Sequence, residues 1–126
     1  MKERFRLSVR THFSAAHHLR GYQGDCANPH GHNWMVHVEV SCGKLNELGM
    51  AMDFRGVKAA LKSVLAPLDH ADLNTLPEFQ DQNPTSELVA RHIYRELARK
   101  LNGGDVRVEK VTLDETPSYG VTYWEE

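Results

Sequence analysis

The sequence predicts an α+β domain in which two helices cover one face of a four-stranded antiparallel sheet, in the order strand, strand, helix, helix, strand, strand. Three observations carry this. Two long N-terminal runs alternate apolar and polar residues, the middle of the chain holds two apolar stripes at helical spacing, and the C-terminal part returns to alternation. No repeat, low-complexity segment or linker interrupts the 126 residues, so one domain over 1–126 is expected. That length supports one core and is short for two.

In the first run, Phe5, Leu7, Val9, Thr11, Phe13 and Ala15 alternate with Arg4, Arg6, Ser8, Arg10, His12 and Ser14, a half-buried strand. Continued, the alternation puts His17 on the apolar face, unless a bulge near Ala15-Ala16 turns it over. Residues His18 to Asn28, with Gly21, Gly24 and Asp25, read as a loop. From His30 to Cys42, Trp34, Val36, Val38 and Val40 alternate with polar neighbours and form a second strand that returns alongside the first. Asp53 is a helix N-cap ahead of Phe54, Val57, Leu61, Val64 and Leu65, and Pro67 ends that helix close to Ala66.

Thr85 or Ser86 caps the second helix, with Glu87 at the positive end of its dipole. Val89, Ile93, Leu97 and Leu101 form its stripe, and Asn102-Gly103-Gly104 stops it. Val106 and Val108 then alternate on one parity and Val111, Leu113 and Glu115 on the other, which predicts a bulge around Glu109-Lys110. Thr116-Pro117-Ser118 turns the chain into a last strand carrying Tyr119, Val121 and Tyr123. The second face of the sheet has no cover, which implies an oligomer that buries it or sites that line it.

Composition narrows the function classes. Hydrophobic residues at 40% and charged residues at 25% are ordinary for a soluble protein. A net charge of −2 gives no general drive toward nucleic acid or anionic membrane. No apolar run approaches a membrane span, and the charged start Met1 to Arg6 is followed by no leader-like apolar stretch, so a cytoplasmic protein is expected. Two cysteines do not make a disulfide framework. Cys42, at the end of an apolar strand, reads as a small buried hydrophobe, whereas Cys26 lies in a polar loop beside histidines, where its reactivity matters.

The stretch Cys26-Ala27-Asn28-Pro29-His30-Gly31-His32 places one thiol close to two imidazoles. On a strand that begins near His30, His30 and His32 project from one face and can share an ion such as zinc. Strand-end histidines with no ligand are the alternative reading. Eight histidines raise the prior for a metal without locating it. Asp69-His70 after a helix reads, by itself, as a cap or turn.

Six motifs occur in order along most of the chain: Phe13-Ser14-Ala15-Ala16-His17, Cys26-x-x-x-His30-Gly31-His32, Asp53-Phe54, Leu68-Asp69-His70-x-x-Leu73-Asn74, Pro84-Thr85-Ser86-Glu87 and Glu115-Thr116. Each alone is weak, and together they resemble the family of 6-pyruvoyl- and 6-carboxy-tetrahydropterin synthases. The resemblance implies the tunnelling fold (T-fold) and a homohexamer of two trimers, whose sheets close into a barrel with sites at subunit interfaces. It implies Zn2+ held by His17, His30 and His32 with an open fourth position, the pattern of a catalytic zinc. His18 competes with His17 for that role, and consecutive residues point oppositely. His12, His37 and His92 fall outside the motifs and read as exposed or structurally satisfied.

The same resemblance makes Cys26 the base that takes a proton from the substrate, with Asp69 and His70 completing the relay. It makes Glu115 the carboxylate that anchors a pterin ring, with Thr85 and Ser86 hydrogen-bonding the same ring; helix capping stays open for Thr85. The implied substrate is 7,8-dihydroneopterin triphosphate. The three-residue gap between Cys26 and His30 resembles the shorter bacterial branch. That branch forms 6-carboxy-5,6,7,8-tetrahydropterin, acetaldehyde and triphosphate in 7-deazaguanine (queuosine) biosynthesis. Rivals are the pyruvoyl-forming synthase, a pterin-binding or metal-binding protein without turnover, and a small all-β cupin-type enzyme, against which the two helices speak. Trp34 stands where the family commonly has tyrosine or phenylalanine, and Asp114 precedes the Glu-Thr pair.

Overall fold

The alternation in residues 5–17 and 30–42 becomes two strands of 13 residues each in the computed structural model, which describes residues 2–126. The chain runs β1 (Phe5–His17), β2 (His30–Cys42), α1 (Phe54–Leu65), β3 (Ala71–Asp72), α2 (Ser86–Leu101), β4 (Arg107–Thr116) and β5 (Tyr119–Tyr123). The sheet order is β3-β1-β2-β4-β5. β1 and β2 pair antiparallel in unbroken register, from Phe5 opposite Cys42 to His17 opposite His30. No bulge interrupts β1, so His17 keeps the parity of Phe13 and Ala15 and is 3% exposed.

β4 and β5 extend the antiparallel sheet. Val40 faces Val108 and Glu39 faces Lys110, so Glu109 is the extra residue of a bulge where the apolar parity changes. A second shift lies at the far end of β4: Asp114 faces Gly120 and Thr116 faces Tyr119, leaving Glu115 as the extra residue. The four long strands are antiparallel as expected. The fifth, Ala71–Asp72, runs parallel to Ala15–Ala16 in a segment to which the sequence assigns no strand, because two residues are too few to show alternation.

The helix ends follow the capping residues. The Asp53 carboxylate accepts the Arg55 N–H at 2.8 Å, and the last bond of α1 runs from Ala66 to Lys62, one residue before Pro67. Thr85 caps α2, its Oγ1 accepting the Leu88 N–H at 3.1 Å, which leaves Ser86 as the first helical residue with its hydroxyl free for other work. Val57, Leu61 and Val64 of α1 and Val89, Ile93 and Leu97 of α2 bury against Phe13, Trp34, Val36, Val38, Val111 and Leu113 of the sheet. At about 1.5–3 kcal/mol per large side chain, this layer is the main source of stability. The opposite face carries polar side chains such as Arg10, His37 and Thr112, which share one register row. Among the described residues no helix is long and apolar enough to cross a membrane.

Candidate metal centre

Beyond Trp34 the core-facing parity of the sheet changes from apolar side chains to imidazoles. His30 and His32 continue the face of Trp34 and Val36, His17 continues that of Phe13 and Ala15, and Glu115 emerges from its bulge beyond Val111 and Leu113. These four residues bring one ligand atom each to within 4.8 Å of one another. The imidazole centroids are 4.5 Å apart for His17 and His30, 4.8 Å for His30 and His32, and 5.5 Å for His17 and His32, all edge-on. Trp34 floors the cluster, fully buried, meeting His17 and His32 edge-on at 4.8 and 5.6 Å. Its own ring is fixed by Nε1 donating to the Ala15 carbonyl at 3.1 Å.

Two backbone carbonyls set the imidazole tautomers. His17 Nδ1 lies 2.7 Å from the Pro84 oxygen and His30 Nδ1 lies 2.8 Å from the Asn28 oxygen. A carbonyl only accepts, so each Nδ1 carries the hydrogen, and the neutral ring keeps a lone pair on Nε2 facing the cluster. Glu115 Oε1 sits 2.8 Å from His32 Nε2, yet the pair lacks hydrogen-bonding alignment, and that buried nitrogen has no hydrogen-bond partner. The same oxygen is 3.2 Å from His17 Nε2 and 3.8 Å from His30 Nε2, while the Ser86 hydroxyl donates to Oε2 at 2.8 Å.

The charges suit a cation. Burial pushes the His32 imidazole pKa down, outweighing the neighbouring Glu115 carboxylate, and His30 and His17 push it the same way. Burial pushes Glu115 up, but the Ser86 hydroxyl together with His17 and His32 prevails and holds its carboxyl below the usual range. Lone pairs on convergent imidazole nitrogens, an orphaned buried nitrogen and an ionised carboxylate fit a divalent metal ion of borderline softness.

The structure places the remaining candidates apart from this cluster. His18 does not join it: Nε2 lies 3.5 Å from the Asn74 amide. Cys26 is half-buried in a 3-10 turn, Asp25–Ala27, where its carbonyl accepts the Leu19 N–H at 2.7 Å. Asp69 and His70 sit at the outer edge of β1. Asp69 Oδ1 accepts the Ser14 N–H at 3.0 Å and pairs with His70 Nδ1 at 3.0 Å. The Ser14 N–H is the main reason that the Asp69 carboxyl lies below its ordinary value. His70 adopts φ 59°, a left-handed conformation costly for a non-glycine residue, and its own N–H is bonded to the Ser14 carbonyl.

The His70 side chain, 81% exposed, lines a groove of roughly 540 Å³ with Ser14, Ala16, Gly31 and Asn33, and His32 of the cluster borders the same groove. The imidazole cluster occupies the other parity. Among the described residues no hydrogen bond or ion pair joins His70 or the Cys26 thiol to it.

Glu115, expected from the family resemblance to anchor the substrate ring, also reaches the imidazoles. The signal was present, since Glu115 shares the parity of Val111 and Leu113. The Pro84 and Asn28 carbonyls that orient the rings carry no sequence signal, because every residue has one.

The family model described as 6-pyruvoyl tetrahydropterin synthase matches residues 6–126. A protein of Archaeoglobus fulgidus that bears 6-carboxy-5,6,7,8-tetrahydropterin synthase as a provisional name is 44% identical over 109 residues, covering 86% of this chain and 90% of its own. The 6-carboxy-5,6,7,8-tetrahydropterin synthase of Aquifex aeolicus is 35% identical over 124 residues, covering 80% of this chain and 76% of its own. The solved structure of Caenorhabditis elegans 6-pyruvoyl tetrahydropterin synthase superposes with a TM-score of 0.84 over 98% of this chain and 97% of that one, at 28% identity. With its strand and helix plan, its imidazole cluster and a family match over nearly its whole length, the chain belongs to the 6-pyruvoyl tetrahydropterin synthase family.

Proposed function

We propose that this chain is a zinc-dependent lyase that converts 7,8-dihydroneopterin triphosphate and one water to 6-carboxy-5,6,7,8-tetrahydropterin, releasing acetaldehyde and triphosphate. The observation that carries the reading is the convergence of three imidazoles and one carboxylate at the end of the sheet, in a chain whose relatives in Archaeoglobus and Aquifex bear the carboxy-forming name. His17, His30 and His32 would hold the zinc. When bound, zinc stabilises negative charge on substrate side-chain oxygens and makes the neighbouring C–H groups easier to deprotonate.

The residues of the chain do the rest. Glu115, its Oε2 fixed by Ser86, offers paired acceptors to the two adjacent N–H donors of an aminopyrimidinone ring. Its Oε1 rests against the imidazoles, so the incoming ring competes with them for that atom. Thr85 spends its oxygen on the Leu88 N–H and keeps a hydroxyl hydrogen to donate to the ring. Trp34 closes the floor against water. Cys26, as thiolate, takes the substrate proton, and His70, oriented through Nδ1 by Asp69, exchanges a proton through Nε2.

His70 is bonded within its own chain to Asp69 and Ser14 and not to the imidazole cluster, and the complete site of this reading draws Asp69 and His70 from a second chain. The assembly proposed is a homohexamer of two trimers joined through the free edges of β1 and β5. A cytoplasmic location and a place in 7-deazaguanine nucleoside biosynthesis go with this activity. The likeness to the Caenorhabditis structure favours one second reading, the pyruvoyl-forming synthase.

The test is to incubate the zinc-loaded protein with 7,8-dihydroneopterin triphosphate and identify the pterin and any acetaldehyde by mass spectrometry. Carboxypterin with stoichiometric acetaldehyde is expected. Pyruvoylpterin without acetaldehyde would move the protein to the second reading, and bound substrate without turnover would make it a binding protein.

A further inference from the structure

Residues 18–20 leave β1 directly after His17, and two asparagine side chains take the part of a neighbouring strand beside them. Asn74 Oδ1 accepts the His18 N–H at 2.8 Å and its amide donates to the His18 carbonyl at 3.0 Å. Asn83 does the same for Arg20, at 2.9 and 3.0 Å. A side-chain amide holds a donor and an acceptor at the spacing of a peptide group, so each asparagine satisfies both backbone groups of one residue. In an extended segment the intervening residue points the other way, and there the Leu19 N–H donates to the Cys26 carbonyl at 2.7 Å. Among the described residues that is the one backbone–backbone hydrogen bond tying the loop from Gly21 to Asn28 to the rest of the chain.

The segment that carries the asparagines is itself fixed. Leu73 and Phe79 are fully buried, and the Gln80 amide donates to the carbonyls of Asn74 and Leu76. Arg20 adds guanidinium bonds to the carbonyls of Phe79 and Gln80. Pro84, next to Asn83, is the residue whose carbonyl orients His17.

We propose that Asn74 and Asn83 are positioning residues for the metal centre and for Cys26. They hold residues 18–20 as a strap with the ligand His17 at one end and the thiol loop tied to its far side, and so set the placement of thiol against metal. The inference rests on the metal-centre reading above. Neither asparagine is a ligand in the cluster.

The experiment compares the full-length protein with Asn74→Ala, Asn83→Ala and Asn83→Asp, reading zinc affinity by competition with a chromophoric chelator and the rate of Cys26 alkylation by iodoacetamide, followed on its peptide. Zinc affinity is expected to fall about tenfold or more in the alanine variants, the usual cost of losing a group that orients a ligand. Cys26 alkylation should change rate in the same variants. Asn83→Asp keeps the acceptor for the Arg20 N–H and should recover part of both, and it carries the test if an alanine variant does not fold. Asp105→Asn, which loosens the opposite end of the sheet, should lower stability and leave zinc affinity unchanged. Wild-type affinity and wild-type alkylation in the asparagine variants would overturn the proposal. A wild-type protein that binds no zinc would overturn the metal reading and this inference with it, a failure told apart because it appears before any substitution.

Discussion

Trp34 does more at this site than fill space. Fully buried, it stacks on Phe13 with ring centroids 5.8 Å apart, supports two of the three imidazoles and satisfies the Ala15 carbonyl through its indole N–H. Trp34→Phe keeps an aromatic floor but removes the indole donor to that carbonyl. The expected cost is about 0.5–1.5 kcal/mol, seen as a lower urea midpoint of the zinc-free protein, with zinc affinity falling less than in Trp34→Ala. An unchanged midpoint would mean that the indole N–H contributes nothing. Burial of Trp34 and the shared face of His30 and His32 were legible in the sequence, because strand parity alone decides both. Which ring nitrogen faces the cluster was not, since the tautomer depends on carbonyls of Pro84 and Asn28 that only the folded chain brings near.

The elements show where pattern carries information and where it stops. The bulge at Glu109 was legible because the apolar residues of β4 change parity across it, from Val108 to Val111. The bulge at Glu115 was not, because Glu115 keeps the parity of Leu113 and the shift exists only against β5, where a Cβ on Gly120 would collide with the Leu113 carbonyl and Asp114. At the other end of the sheet, Asp105 joins three segments. It accepts from Arg4 at 2.9 Å, from the Gly43 N–H and from the Cys42 thiol at 3.5 Å. The Arg4 guanidinium, then the Gly43 N–H, draw its carboxyl from 3.8 down to about 2. A folded-state value below the unfolded one means that the unfolded chain binds the extra proton between them, so this contribution is complete above the unfolded value and is lost as pH falls toward about 2. The gap in denaturation midpoint between wild type and Asp105→Asn should therefore be constant above about pH 5 and close as the pH drops through that window. A gap that persists at the acid end would assign the stability to the shape of the side chain and not to its charge.

For the molecule as a whole, the open question is which surfaces complete the site. The outer edge of β1 is paired only at Ala15–Ala16, and beside it a groove of roughly 440 Å³ between β1 and α1 has the buried Val9, Phe13, Leu61 and Leu65 at its base and Arg10, His12, Lys58 and Lys62 around it. At the other edge of the sheet, Tyr119 and Trp124 are 61% and 57% exposed. Two free edges of opposite ends of one sheet make a heterologous contact, which closes into a ring when copies repeat it. If sites form across that contact, Cys26→Ala and His70→Ala will each be inactive alone. Unfolding and refolding them together in equal amounts should then restore activity, because in about a quarter of random pairings an intact Cys26 from one chain meets an intact His70 from its neighbour. The recovered turnover should appear with the same carboxypterin product and disappear when either parent is refolded alone. No recovery in a mixed assembly of correct size would place the whole relay within one chain, and His70 would then have to move from the outer edge of β1 to the imidazoles, a movement that the Ser14 and Asp69 bonds at its base oppose.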